Sequence, residues 1–257
     1  MPRRLGHGEE ATLVEHLGEL RTRLVIALLA IVPAFAISFA FHDRLIDWLT
    51  RPLPDDKSLV TLGVTEPFTT SVKVSLAAAV AITLPILLYQ LWSFLAPAIE
   101  ERMQRTVSAF VALSTILFVG GMAFSYFVVL PRALTFLTNF GEENFQIEIR
   151  ASYYFSFVTV TLLASGLAFQ MPIFILALVR LRVLTAAKLR KNRRLGYVLM
   201  VVFAILLPTV DPVSLALEVA PLLVLFELSI WLSSYMERRW ALDPDSDEFG
   251  GLFPGRE

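Results

Sequence analysis

The chain has 257 residues, of which 56% are hydrophobic and 18% are charged, and its mean hydropathy is +0.67. A soluble domain of this size is nearer to about 45–50% apolar and about 25% charged. The net charge of −1 provides no basic field for nucleic acid, and the absence of cysteine excludes disulfides and thiolate metal sites. The three histidines are too scattered for a metal cluster. We therefore expect an integral membrane protein without a metal or another cofactor.

Six apolar segments could cross the bilayer core, which takes about 20 helical residues. They are 24–41, 67–95, 107–130, 153–179, 195–208 and 213–233. The fifth is short and ends at a proline-rich turn, which predicts a tight hairpin of short fifth and sixth helices that thins the bilayer. The sequence thus predicts an all-α polytopic membrane protein over residues 24–233. This membrane domain is preceded by an amphipathic cytoplasmic N-terminus (1–23) and followed by a largely disordered acidic tail (234–257).

Basic residues are distributed unequally between the two sides of the predicted spans. Of the 22 lysines and arginines, 16 fall on the side of the N-terminus and 6 on the other side. Because cytoplasmic loops carry the excess of basic residues in membrane proteins, this asymmetry places the N-terminus inside. An even number of spans then places the C-terminus inside as well.

The N-terminal segment before the first span has charged residues at helical spacing. Glu15, Glu19 and Arg23 recur every fourth residue, and leucines at 13, 17, 20 and 24 recur at helical spacing. One interpretation is the start of an interfacial helix whose charges are solvated. The other is an acidic site that presents Glu19 near the cytoplasmic membrane surface.

A second acidic pair lies in the first predicted inside loop. Glu100 and Glu101 follow Pro97, where the second span ends. They could compensate the dipole of the next helix, or they could add negative charge beside Glu19 and complete a pocket for a basic peptide. Such a pocket would prefer arginine to lysine, because guanidinium pairs with carboxylates in a bidentate manner.

Polar residues inside apolar spans are costly and are therefore candidates for function. Gln170 could bond a neighbouring helix or dock a partner, while Glu218 and Glu227 lie on the last span and Asp211 could cap the turn before it. An alternative function is a small-molecule transporter that uses Glu227, Glu218 and Gln170, but the inverted repeats of that class are absent from the sequence. No motif of an enzyme is present, so an intramembrane enzyme is disfavoured.

The ordered motifs resemble those of the TatC family, the polytopic core of the twin-arginine protein translocase. The segments that carry the resemblance are His16–Leu24, Glu66–Phe68, Pro85–Pro97, Gly121–Phe127 with Pro131, Ala151–Tyr153, Phe169–Pro172 and Pro208–Asp211. The resemblance implies a receptor and core subunit that binds the paired arginines of export signal peptides. It also implies assembly with single-span TatA and TatB proteins and with other TatC copies, and export of folded cargo driven by the proton-motive force. The expected location is the cytoplasmic (inner) membrane of a prokaryote, without a role in binding nucleic acid.

The resemblance also implies roles for individual residues. Glu19 would contact the arginine pair, and the other residues of the signal-peptide surface would be Leu17, Leu20, Arg21, Arg23, Glu100 and Glu101. The family positions in the outside loops would be Pro52, Glu66, Phe68 and Asp211. Partner docking would use Gln170, Met171 and Pro172.

Two positions depart from the family pattern. Met103 stands where the family usually has a glutamate, and either Glu100, on the same helical face, or Glu101, through a small deletion, would replace it. Gln170 stands where many members carry glutamate. An amide cannot titrate, so we expect no proton uptake at Gln170, whereas hydrogen bonding to a partner helix is retained.

Overall fold

The computed structural model describes residues 13–95, 104–140, 147–180, 183–207 and 211–241. Within these ranges the chain forms ten α-helices, one π-helical segment and two short strands. The helices are α1 (Leu13–Ala40), α2 (His42–Thr50), α3 (Glu66–Leu95), α4 (Gln104–Phe124), α5 (Leu130–Asn139), α6 (Ala151–Ala168), α7 (Met171–Arg180), α8 (Ala186–Lys191), α9 (Arg193–Ile205) and α10 (Pro212–Ala241). The π segment is Ser125–Val129, and the strands are β1 (Leu59–Val60) and β2 (Ile149–Arg150).

Five helical stretches are long and apolar enough to cross a membrane. They are Gly18–Ala40, Glu66–Leu91, Phe110–Asn139, Ala151–Val179 and Pro212–Glu237. The third joins α4, the π segment and α5, and the fourth joins α6 and α7 across a two-residue turn. The fifth predicted span (195–208) corresponds to α9, which has 13 residues and is about 20 Å long at 1.5 Å per residue. The protein is therefore an all-α polytopic membrane protein.

The helices extend beyond the boundaries expected from hydropathy. α1 already begins at Leu13, so half of the predicted N-terminal segment continues into the first span as one helix. α10 has 30 residues and is therefore longer than the short last helix that the apolar pattern suggested. It also continues eight residues into the segment predicted to be a disordered tail. Contacts with α8 support this last part of α10, because the Glu237 carboxylate accepts a hydrogen bond from the Ala186 backbone N–H at 2.9 Å.

The chain divides into two compact units, and the first comprises Met1–Ile116 and Gln146–Leu163. In this unit α1 and α2 both pack against α3. β1 and β2 pair in parallel, with Leu59 opposite Ile149. The Tyr154 hydroxyl donates to the Leu49 carbonyl at 2.8 Å, which fastens α6 to the end of α2. These contacts hold the connections that precede α3 and α6.

The second unit comprises Leu117–Phe145 and Ala164–Glu257, and α10 is its central helix. α5, α7, α8 and α9 all pack against α10. The buried core of this unit consists of Ala168, Ile175, Met200, Ala204, Leu207, Leu222, Phe226 and Ile230. A glycine, Gly196, permits the close approach of α9 to the Phe226 ring. The hairpin of α9 and α10 is therefore packed mainly through apolar side chains.

Candidate functional site

The structure places the Glu19 carboxylate in contact with the Arg23 guanidinium, one turn further along α1. Arg23 donates from Nε to Glu19 Oε1 at 3.0 Å and from Nη2 to the same oxygen. Its remaining nitrogen, Nη1, lies 3.4 Å from the side-chain oxygen and 3.5 Å from the backbone oxygen of Gln90 on α3. The side chain of Glu19 is 36% exposed, whereas that of Arg23 is 18% exposed. The carboxylate is thus accessible, while the guanidinium is held between two helices.

Other residues of the predicted signal-peptide surface are placed only in part. Leu20 and Arg21 are exposed beside Glu19 on α1. The side chain of Leu17 lies outside the described residues, as do Glu100, Glu101 and Met103. The alternatives for the second carboxylate therefore stay a prediction.

Glu66, predicted as an outside-loop position, is the acceptor for three donors of the first unit. Its carboxylate accepts from Arg150 Nε at 3.0 and 3.1 Å, from the Ser152 N–H at 3.0 Å and from the Leu62 N–H at 3.0 Å. The residue is 5% exposed. The Glu66 carboxylate raises the pKa of the Arg150 guanidinium above its usual range, chiefly by accepting its hydrogen bond. Glu66 therefore ties the segment before α3 to the segment before α6.

The other predicted positions of this region have different surroundings. Pro52 is half-buried in the turn after α2. Phe68 is 65% exposed and packs edge-on against Phe39 at 6.3 Å between ring centroids. An exposed aromatic ring at the start of a span suits a position at the membrane interface or against a partner.

Asp211 caps the N-terminus of α10. Its Oδ1 accepts a hydrogen bond from the Ser214 N–H at 2.7 Å, which satisfies one of the free donors of the first turn. Asp211 is 3% exposed. This placement agrees with the capping role that the sequence suggested for it.

The three residues of the predicted partner-docking site lie at the break between α6 and α7. Gln170 is 2% exposed, and its backbone carbonyl accepts hydrogen bonds from the N–H groups of Ile173 and Phe174 at the start of α7. Pro172 is buried as well, whereas Met171 is half-buried. Met171 is therefore the one side chain of these three that a partner could contact without rearrangement.

The two glutamates of α10 that were predicted as candidates, Glu218 and Glu227, differ in burial. Glu218 is 3% exposed and accepts a hydrogen bond from the Ser165 hydroxyl at 2.8 Å. The side chain of Glu227 is 38% exposed, lies 3.3 Å from Arg193 Nη2 and accepts from the Tyr197 hydroxyl. Glu218 and Glu227 are nine residues apart on α10 and bond to different partners, so these contacts do not join the two carboxylates into one polar site. The transporter alternative consequently gains no support.

Four partners in these contacts were missed by the sequence analysis. Gln90, Arg150, Ser165 and Tyr197 are ordinary polar residues in or beside apolar segments. The signal that could have found them is the cost of placing polar groups in a membrane, which requires a partner for each. The cost of burying a polar group does not identify its partner, because each of these four residues lies 30 or more positions from the residue that it contacts.

Comparisons with known proteins agree with this architecture. The family described as Sec-independent protein translocase protein (TatC) matches residues 15–221. The protein named Sec-independent protein translocase protein TatCd of Bacillus subtilis is 36% identical over 231 residues, which cover 90% of this chain and 95% of that one. The TatC protein of Escherichia coli K12 is 33% identical, with 87% of this chain and 88% of that one covered. A crystal structure titled as the twin arginine translocase receptor TatC in DDM has a TM-score of 0.75 and 35% identity, covering 85% of this chain and 99% of that one.

The spans and the matches define a polytopic membrane protein of a protein-transport family. The chain belongs to the TatC family of Sec-independent protein translocase subunits. It is accordingly a multi-pass protein of a prokaryotic membrane.

Proposed function

We propose that this subunit is the receptor for export signal peptides and that it binds their paired arginines at Glu19. The observation that carries the proposal is the accessible Glu19 carboxylate, engaged by Arg23 through one of its two oxygens. A solved relative is titled a twin arginine translocase receptor, which supports the same function. The exposed neighbours Leu20 and Arg21 would form the surrounding surface.

The contact between Arg23 and Gln90 gives this site a means of exchanging partners. An incoming arginine competes with Arg23 for the Glu19 carboxylate, because both present the same planar guanidinium. Arg23 already lies within 3.5 Å of two oxygens of Gln90. It can therefore release Glu19 without losing all of its hydrogen-bond acceptors. The charge-assisted bonds at stake stabilise the complex by about 1–3 kcal/mol each, and salt weakens the encounter.

The wider assembly follows from family membership and from the charge distribution. We infer that both termini are cytoplasmic, since the side of the N-terminus carries 16 of the 22 basic residues. TatA and TatB proteins and further TatC copies are the proposed partners, and the proton-motive force is the proposed source of energy. Partner docking at Gln170, Met171 and Pro172 would begin at Met171, which is less buried than the other two.

The short α9 supports a proposal about the surrounding lipid. Its 13 residues span about 20 Å, against about 30 Å for the hydrocarbon core of a typical bilayer. The bilayer would therefore thin beside α9, which lowers the barrier to passage of polar cargo. A normal thickness around residues 195–233, measured with lipid-depth probes, would contradict this proposal.

The receptor function is tested by crosslinking a signal peptide to the full-length protein in membranes. A photo-reactive peptide with paired arginines should crosslink to the wild type and lose about 5- to 150-fold in apparent affinity with Glu19→Gln, which follows from about 1–3 kcal/mol. The control is Asp43→Asn, which removes a carboxylate whose side chain is 88% exposed on α2 of the same unit. Equal crosslinking by both variants would refute Glu19 as the arginine contact.

A further inference from the structure

Glu218 is a carboxyl group buried within a membrane span, and one of its two oxygens has no hydrogen-bond partner among the described residues. It lies in the second turn of α10, inside the span Pro212–Glu237. Oε1 accepts from the Ser165 hydroxyl at 2.8 Å. Oε2 is inaccessible to solvent and has no hydrogen-bond partner among the described residues. A buried acceptor without a partner is rare in folded proteins and requires an explanation.

Two further unpartnered oxygens lie on the same face of α10. Asp211 Oδ2 and Ser214 Oγ are both buried without a hydrogen-bond partner in the part of the chain that the structure describes. Asp211, Ser214 and Glu218 are spaced by three and four residues, which places them along one side of the helix. At 1.5 Å per residue, this row runs about 10 Å into the span from the start of α10.

None of the described basic side chains on the elements that pack against α10 bonds to Glu218. Arg132 of α5 donates to the Val128 carbonyl, and Arg193 and Tyr197 of α9 contact Glu227, nine residues beyond Glu218. The remaining charged and titratable groups on these elements are Tyr126 of the π segment, Arg180 at the end of α7, whose side chain lies outside the described residues, Arg194 of α9, and Lys188, Arg190 and Lys191 of α8. α8 joins α10 at Ser234 and Glu237. Among the described groups, the Ser165 hydroxyl bonds to Glu218.

We propose that Glu218 is a proton-binding site within the membrane that exchanges its proton through Ser214 and Asp211. An ionised carboxylate in hydrocarbon without a cationic partner is costly, and binding a proton removes the charge. A lone pair of Oε2 forms the new O–H bond, and the proton comes from hydronium, which leaves as water. Asp211 Oδ1 accepts from the Ser214 N–H at the start of α10, which leaves the buried Oδ2 as the oxygen available to relay the proton. This inference is independent of the signal-peptide site at Glu19.

Infrared difference spectroscopy of the full-length protein in lipid vesicles tests the protonation. The wild type at neutral pH should show the carbonyl-stretch band of a protonated carboxylic acid, and this band should disappear with Glu218→Gln. Glu227→Gln is the matched control, because it changes a glutamate on the same helix that is paired with Arg193, and it should retain the band. Ser165→Ala removes the hydrogen bond to Oε1 and should shift the band, which identifies Glu218 even if Glu218→Gln fails to fold. A missing band in the wild type, or a band that survives in Glu218→Gln, overturns the proposal.

The exchange route is tested by the rate at which the same band shifts after transfer into D2O. Ser214→Ala removes the hydroxyl but keeps the backbone N–H that donates to Asp211. This variant should slow the exchange without abolishing the band. Asp211→Asn should slow it as well. Exchange at the wild-type rate in both variants overturns the route along this face of α10. Loss of the band on addition of sodium would overturn the proposal by showing that a metal cation, rather than a proton, occupies the site.

Discussion

Replacement of Gly196 by alanine tests how closely α9 packs against α10. A Cβ atom at this position would lie 2.1 Å from Cζ of Phe226, with two further ring atoms within 2.9 Å. Because carbon atoms in contact lie about 3.5–4.0 Å apart, the ring or the helix would have to move by about 1.5 Å. The ring is 3% exposed and packs edge-on against Tyr197, with 5.8 Å between ring centroids. It therefore has little room to retreat, and we expect α9 to be displaced.

The expected loss of stability is a balance of two terms. Overpacking of a core costs about 1–3 kcal/mol, and the better helix propensity of alanine offsets about 1 kcal/mol of it. Because a separation of 2.1 Å is a severe overlap, we take the upper part of the overpacking range, about 2–3 kcal/mol. Gly196→Ala should then lower the free energy of unfolding by about 1–2 kcal/mol, which corresponds to a decrease in Tm of about 2–8 °C. Thermal unfolding of the purified protein in mild detergent, followed by the loss of its monodisperse chromatographic peak, measures this change.

Two further variants separate the packing effect from the general effect of a glycine replacement. Gly120→Ala on α4 is the matched control, since a Cβ there meets no atom within 4 Å, and its Tm should be unchanged or raised. Combination of Gly196→Ala with Phe226→Leu should restore part of the stability, because the smaller side chain vacates the space. The explanation fails if Gly196→Ala is as stable as Gly120→Ala, or if the effects of Gly196→Ala and Phe226→Leu are simply additive.

Three other substitutions have expected outcomes. Arg150→Met should lower the Tm clearly, because it leaves the buried Glu66 without its cationic partner; a Tm equal to that of the wild type would contradict a structural role for the pair. Glu237→Ala should loosen α8 by removing the acceptor for the Ala186 N–H, so trypsin should cut its basic residues faster, and an unchanged cleavage rate would argue against this contact. Gly121→Ala should destabilise the protein more than an alanine at an open position of α4, because its Cβ would lie 2.7 Å from a backbone oxygen of α6, and an unchanged Tm would exclude so close an approach.

The surroundings of Glu19 could be predicted from the sequence only in part. The four-residue spacing of Glu19 and Arg23 predicted that both share one face of a helix, and the structure places them in contact. The spacing could not reveal Gln90, which lies 67 residues away and meets Arg23 only because α1 packs against α3. The partner that anchors Arg23 and leaves Glu19 accessible is therefore a product of helix packing.

Glu66 and α10 also have features that could not be predicted from the sequence. The sequence marked Glu66 by its family motif. Two of its three donors, Arg150 and the Ser152 N–H, lie 84 and 86 residues away and are brought beside it where β1 pairs with β2. The length of α10 was underestimated because hydropathy detects only the part that crosses the membrane. The remainder of this helix is supported by α8, through contacts that no local pattern encodes.

The sequence by itself determined that the protein lies in a membrane, that it is built from helices and which family it belongs to. These properties depend on hydropathy, on the distribution of basic residues and on ordered motifs, all of which are read along the chain. Only the tertiary structure decided which polar groups distant in sequence are paired. It joined Glu218 to Ser165 across 53 residues and left one oxygen of that carboxyl group without a partner among the described residues. The physical reason is that partners inside a membrane protein are selected by the crossing of helices, whose geometry depends on side chains distant in sequence.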